Sequence, residues 1–329
     1  MAVKSNLNEL KKNSIRFFVI SGLMILVIII GIILLIKMPS ENVAVRDVKK
    51  DFIQFPKKDG IVIVNINGVI QFGQNESGFG LLPNEGLENV ISRIKRYAKE
   101  KNIKGLVLRI NSPGGTIGAV QELYNAIIEF KSQNKIVVAS MADIAASGGY
   151  YIASAADKIV ANPGTITGSI GVIIASPSFT GLFNKIGINY RVFKSGKFKD
   201  ILSSFRDISK EERELIQGIV DDAFLQFFNA VKSGRKISED KLRKYADGRI
   251  FTGRQAKEIG LVDHLGGLSD AIKLAGELAG LGAEPYIIRE KINIWQQLFG
   301  MAEEKKSFHE KMLSQFFNNY VPVYYLYIF

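Results

Sequence analysis

The chain has 329 residues, 47% of them apolar, enough for one large or two small domains with a substantial core. It contains no Cys and only two His, His264 and His309, which excludes a disulfide framework and a thiolate metal centre and argues against a His-rich zinc site. The formal charge of +11 comes without a basic stripe interleaved with aromatics, so it fits an anionic membrane surface better than a nucleic acid.

Residues 17–36, FFVISGLMILVIIIGIILLI, carry no charge. At about 1.5 Å per residue such a helix spans roughly 30 Å, the hydrocarbon thickness of a bilayer. Lys4, Lys11, Lys12 and Arg16 precede it against a single Glu9, which predicts residues 1–16 on the cytoplasmic side and the rest outside. Lys37, Met38 and Pro39 follow, a poor context for signal-peptide cleavage, so the segment reads as an uncleaved single-pass anchor in the cell membrane. Residues 37–56 form a polar linker to a domain expected over 57–282, and 283–329 form a tail.

In the outer part, Gly60 to Ile70 alternates as a strand does and Leu87 to Lys99 has the period of an amphipathic helix. Lys104 to Ile110 reads as a short apolar strand, NSPGG at 111–115 as a turn, and Thr116 to Phe130 as a helix. Lys135 to Met141 is a strand, and Tyr150 to Ala156 looks helical. Lys158–Ala161, Ser169–Ala175 and Ile188–Lys194 are expected strands. Strand and helix alternating at this spacing predict an α/β fold of βαβ units with largely parallel strands, whose sites gather at the carboxyl ends of strands. From Ser209 the chain turns mostly helical: Ser209 and Glu212 form a capping signature, Ser238 opens another helix, and Thr252 to Gly267 holds a short helix and a turn. The last residues, VPVYYLYIF, are apolar and strand-forming at a free end. They read as a strand docked on the core, an oligomer contact, or a product-like ligand of the chain's own groove.

The chemistry concentrates at Ser147, followed at once by Gly148 and Gly149 between an apolar strand and a helix. A side chain at such a junction is exposed, and the first helical amides have no intrahelical acceptor, so they can hold a developing oxyanion. A plain serine-capped glycine turn has the same local pattern. A nucleophilic serine needs a base. Neither His has a suitable context, and lysine is the next choice. Moving a lysine from its ordinary value of about 10.4 to about 7 takes roughly 4.6 kcal/mol, which burial in an apolar pocket supplies. VFKSGKFKD offers Lys194, Lys197 and Lys199; a solvated basic loop is the plain alternative, and Lys197 and Lys199 share parity, so alternation does not choose between them.

NSPGG at 111–115, the Ser147 segment, NPGTITGSIGV at 162–172, KSGKFKD at 194–200 and FTGRQAKEIGLVDHLGG at 251–267 occur in the order found in signal peptide peptidase A, which the chain resembles over about residues 57–280. Those enzymes are membrane-bound Ser-Lys serine peptidases related in fold to Clp protease and the crotonases. The resemblance implies Ser147 as nucleophile, Lys199 as general base, the amides of Gly114 and Gly148 as oxyanion hole, and Ser169 as a hydrogen-bonding aid to Lys199. No cofactor and no metal is expected from the residues themselves: there is no Walker A pattern, and His and Cys are too few. The family commonly carries Ser-Pro-Phe-Arg where this chain has Ser203-Ser204-Phe205-Arg206. A single core implies the short form, in which serine and lysine come from neighbouring protomers of a homo-oligomeric ring that degrades signal-peptide remnants at the membrane lipid. A crotonase-like acyl-CoA enzyme and a non-catalytic membrane scaffold are the rival expectations.

Overall fold

The computed structural model describes residues 57–73 and 86–289 and the backbone of residues 324–326, all within one unit, residues 54–329. The predicted cytoplasmic segment, anchor and linker, and most of the tail, lie outside the described residues. Among the described residues no helix is long and apolar enough to cross a membrane.

Five strands form the spine of a parallel sheet: β1 (Gly60–Asn67), β2 (Ile103–Ser112), β4 (Ile136–Ala146), β5 (Lys158–Ala161) and β8 (His264–Leu265), in the order β1-β2-β4-β5-β8. Two short strands extend it. β6 (Ile166–Gly168) continues along β4 beyond β5, and β7 (Ile250–Thr252) runs antiparallel to β6. Alternation explains why the central strands read as continuous apolar runs, since successive side chains point to opposite faces and both faces are covered. Val62, Val64, Leu106, Leu108, Val137 and Ala139 belong to a cluster shared with α1 (Leu87–Lys99) and α2 (Ile117–Ser132), through Val90, Ile94, Leu123, Ile127 and Phe130. The alternate residues Ile61, Val107, Val138 and Val160 meet Ala271 and Ala275 of α8 (Leu268–Leu278) on the other face.

The sheet positions a second layer. β4 ends at Ala146 and α3 (Gly148–Ser154) begins two residues later, leaving Ser147 at the junction. α3 is wholly buried. It lies against α5 (Lys210–Arg235), where Tyr151 stacks on Phe227 with ring centroids 4.9 Å apart. The two helices approach so closely that a Cβ at Gly234 would sit 2.0 Å from the Ser154 carbonyl oxygen. The Ser209–Glu212 pair expected to cap this helix does so, with Ser209 Oγ accepting from the Glu212 N–H and Glu212 accepting from the Ser209 N–H. At the far end of α5, Arg235, 6% exposed, pairs with Asp263 at 2.8 Å. Behind it α6 (Glu239–Arg243) and α7 (Gly253–Ile259) close the domain.

Two strand expectations are corrected. Ser169–Ala175 is not a strand: β6 lies three residues earlier, and Ser169 itself takes φ +50°, which breaks the ladder. Ile188–Lys194 is irregular and follows a short helix, α4 (Thr180–Ile186), that its sequence did not announce. Its alternating apolar residues find no neighbouring strand among the described residues and stand exposed, Phe193 at 96%.

Candidate active site

Ser147 is 1% exposed and has φ +52° with ψ −119°, a conformation costly for any residue with a Cβ and kept only where surrounding structure imposes it. Here two restraints do so. The Ser147 N–H donates to the Gly168 carbonyl at 2.9 Å, and the Ser147 carbonyl accepts the first helical bond, from the Tyr151 N–H at 2.8 Å. The expectation of an exposed side chain at this junction is corrected: Ser147 is buried within the single chain. Among the described residues, no hydrogen bond reaches the Ser147 hydroxyl or the Gly148 N–H, the first amide of α3.

Gly114 opens β3 (Gly114–Thr116) with φ +117°, a conformation that favours glycine. Its carbonyl accepts from the Ile70 N–H at 2.8 Å. Its N–H donates to Ser112 Oγ at 3.1 Å, so this amide is already engaged by a buried hydroxyl in the free chain. The backbones are close: a Cβ on Gly148 would lie 3.2 Å from Gly114 Cα and 3.1 Å from the Gly115 nitrogen. β3 and its partner β9 (Tyr324–Leu326) form a separate two-stranded sheet, antiparallel, with Gly114 opposite Leu326 and Thr116 opposite Tyr324. Thus the end of the tail lies as a strand along the segment that carries Gly114.

Ser169 follows from the register of β4 and β6. Ala146 pairs with Gly168, so Ser147 and Ser169 leave the sheet side by side. Both have positive φ, and Ser169, 7% exposed, is fixed by donation of its N–H to the Arg249 carbonyl at 2.8 Å. Beside Ser169 opens a cavity of about 460 Å³ lined by Ile170, Val172, Ile173, Val220 and Phe224 among others.

The chain therefore brings Ser147, Gly148, Gly114 and Ser169 together, whereas Lys199 joins them through no hydrogen bond within one chain. Lys199 sits on an exposed loop, its N–H donating to the Gly196 carbonyl at 3.2 Å. The three lysines of this loop differ. Lys194 pairs with Asp200 at 2.6 Å, Lys197 pairs with Glu211, and the Lys199 ammonium forms no ion pair or hydrogen bond among the described residues. A further cluster, which the sequence reading passed over, ties the loop to α5. The Arg206 guanidinium forks onto Asp200, Nε to Oδ2 and Nη2 to Oδ1, each at 2.8 Å. It also binds Glu212, with Nη1 to Oε2 at 2.8 Å and Nη2 to Oε1. The signal was present in the acid–base spacing, but charge runs usually mark solvated faces.

These contacts have an acid-stability consequence. The hydrogen bonds from Arg206, then that from the Ser209 N–H, hold the Glu212 carboxyl down at about 2. A depressed folded value gives stability that is present above the ordinary carboxyl value and lost as pH falls through the folded one. Glu212→Gln is expected to melt at lower temperature than wild type near neutral pH, with the gap closing between pH 4.5 and about 2. Thermal melts across that range check it; a gap that stays constant removes the ionic contribution.

The model of peptidase family S49 matches residues 129–282, and that of Clp protease matches residues 84–166. A "Putative protease" of Methanocaldococcus jannaschii is 33% identical over 294 residues, covering 89% of this chain and 90% of the relative. The chain belongs to peptidase family S49. A "Putative protease" of Synechocystis sp. is 45% identical over 60% of this chain and 70% of its own length. A "Putative signal peptide peptidase SppA" of Enterococcus faecium is 38% identical over 64% of this chain and 61% of that protein. The family S49 assignment makes the chain a serine peptidase of the signal peptide peptidase A type, with the α/β, Clp-protease-like fold seen above.

Proposed function

We propose that this S49 peptidase is a membrane-anchored endopeptidase that cuts cleaved signal peptides and other short apolar peptides through a Ser147–Lys199 dyad. The observation that carries the reading is Ser147 itself, a strained hydroxyl, unpartnered among the described residues, at a strand-to-helix turn beside the unbonded Gly148 amide. In the first step Ser147 Oγ bonds to the scissile carbonyl carbon while its proton passes to the neutral Lys199 amine. The Gly148 N–H and the Gly114 N–H, the latter drawn from Ser112 Oγ, hold the oxyanion. Collapse breaks the C–N bond, and the Lys199 ammonium gives its proton to the leaving amine. Water, deprotonated by the same lysine, then cleaves the acyl-enzyme and returns the proton to Ser147. Ser169, side by side with Ser147, aligns the amine.

We place the serine and lysine of one site on neighbouring protomers of a ring. Two observations support this. Lys199 is exposed on its own chain and, among the described residues, no hydrogen bond joins it to Ser147 or Ser169, so the burial that a neutral lysine requires would come from a neighbouring chain. The segment next to Lys199 presents Leu182, Ile186, Ile188, Tyr190 and Phe193 to solvent, large apolar side chains of the kind that a protein partner covers. Residues 17–36 would tether each protomer to the bilayer. The open cavity beside Ser169, lined by Ile170, Val172, Ile173, Val220 and Phe224 with Asp221 and Asp247 among its walls, offers room for substrate side chains, and the pairing of β9 with β3 is a precedent for an extended peptide adding to the site as a strand. We assign the tail end as a product-like ligand of the groove.

The test is incubation of the purified full chain in detergent, as wild type, Ser147→Ala and Lys199→Ala, with fluorogenic apolar peptides, followed by intact mass. Wild type is expected to cleave the peptides and trim its own tail, and both variants to do neither. Cleavage surviving either substitution removes the dyad; an untouched tail in active enzyme removes the tail assignment alone.

A further inference from the structure

Lys199 is followed directly by a carboxylate, and this is chemically awkward for a base. An unpaired carboxylate beside an amine favours the ammonium, the form that cannot accept a proton. In this chain the Asp200 carboxylate is fully engaged elsewhere. Both of its oxygens lie in the Arg206 fork, Oδ1 takes a further contact from Lys194 Nζ at 2.6 Å, and Arg206 Nη2 also reaches the Asp200 carbonyl at 3.2 Å. Arg206, then Lys194, hold this carboxyl well below the ordinary carboxylate range. The same guanidinium grips Glu212, 3% exposed and locked in the cap of α5.

We infer that Arg206 is a positioning residue for the catalytic base: its double fork fixes the backbone next to Lys199 to the start of α5 and cancels the Asp200 charge. The inference rests on Lys199 being the base. Planar bidentate geometry at two carboxylates is a task for arginine, because lysine offers a point charge and no fork. The charges within the cluster balance, two cations (Lys194, Arg206) against two anions (Asp200, Glu212). The remaining charged groups of the segment are Lys197 with its partner Glu211, Asp207, Lys210 with its partner Glu214, and Arg213, the last four residues lying in the loop before α5 and on its first turns. A chain that reaches its own Ser154 and Asp263 through the far end of α5 thus carries its base on a braced loop rather than a free one.

Two variants separate this from a merely structural role because they displace the pH profile in opposite directions. Arg206→Gln leaves Asp200 and Glu212 with less positive charge, so the acid limb of kcat/KM should move to higher pH. Asp200→Asn removes the negative charge, so the limb should move to lower pH. At the spacing of neighbouring residues near a protein surface each displacement is about half a pH unit or more. Both variants should also lose at least about tenfold in kcat, with KM nearly unchanged, because a misplaced base slows proton transfer without touching substrate contacts. Arg206→Lys, which keeps the charge and loses the fork, should leave the limb in place and still lose kcat.

The measurement uses the full chain in detergent with one fluorogenic apolar peptide over a pH series, with thermal melts and Lys199→Ala alongside. Opposite displacements support the inference even if Arg206→Gln melts lower, as the loss of its Glu212 contact predicts. Wild-type profiles in Arg206→Gln and Asp200→Asn, or losses that track melting point with no displacement, overturn it. If Arg206→Gln does not fold, Asp200→Asn and Arg206→Lys decide, since each keeps a cation at position 206 within reach of Glu212. Activity in Lys199→Ala is a different result: it dismisses the base, and with it the reading on which the brace depends.

Discussion

Ser147→Ala is expected to lower kcat/KM by about 10⁴-fold or more, the scale on which removal of a serine nucleophile acts in peptidases. Its melting temperature should stay near wild type, because alanine keeps the Cβ and therefore the strain of φ +52°. Ser147→Gly should be equally inactive and melt a few degrees higher. A strained non-glycine backbone costs about 1–3 kcal/mol, while glycine's extra unfolded-state freedom returns only about 0.5–1 kcal/mol. Activity assays on the fluorogenic peptides, with calorimetry on the same samples, check both halves. Retention of activity within tenfold in Ser147→Ala would remove the nucleophile and revive a crotonase-like use of the backbone amides. Loss of activity without stabilisation in Ser147→Gly would mean that the turn costs little and that its geometry has another source.

The second large effect concerns assembly. Ser147→Ala and Lys199→Ala chains, each inactive alone, are expected to regain activity when exchanged into common rings. A site built between protomers then pairs an intact serine with an intact lysine, and random mixing at equal amounts should restore about one quarter of the wild-type sites. Activity should appear on the timescale of subunit exchange, followed by mixed oligomers in native mass spectrometry. Proven mixed rings with no activity would place both dyad members in one chain.

Much of the fold was legible because local and global demands agree. The apolar period of residues 87–99 gave a helix with those same ends, and the Ser209–Glu212 cap opened the 26-residue α5 where expected. The parallel spine followed from apolar runs too short for helices. The failures share a cause. Residues 188–194 alternate as a strand does, yet alternation reports only that one side meets something apolar, and among the described residues no strand offers itself. Ser169 was expected inside a strand; its positive φ comes from the bond its N–H makes to Arg249, 80 residues away in sequence, which no window of neighbours contains. At the candidate site, the Ser147 turn was readable from its glycines. The engagement of the Gly114 amide by Ser112 was not, because a serine two residues from a glycine is common in turns. Nor could parity separate Lys197 from Lys199; the pairing of Lys197 with Glu211 is a contact that only the structure shows.

The exposed apolar face around Leu182, Ile188 and Phe193 has a bearing on safety inside the cell. If the dyad is shared between protomers as proposed, a lone chain holds the nucleophile without its base and stays inactive while dilute. The proposed anchor would raise the odds of meeting a second copy by crowding chains in one plane. The same patch that makes the lone chain prone to sticking would thus act as a fuse, arming the hydroxyl only where enough copies have gathered.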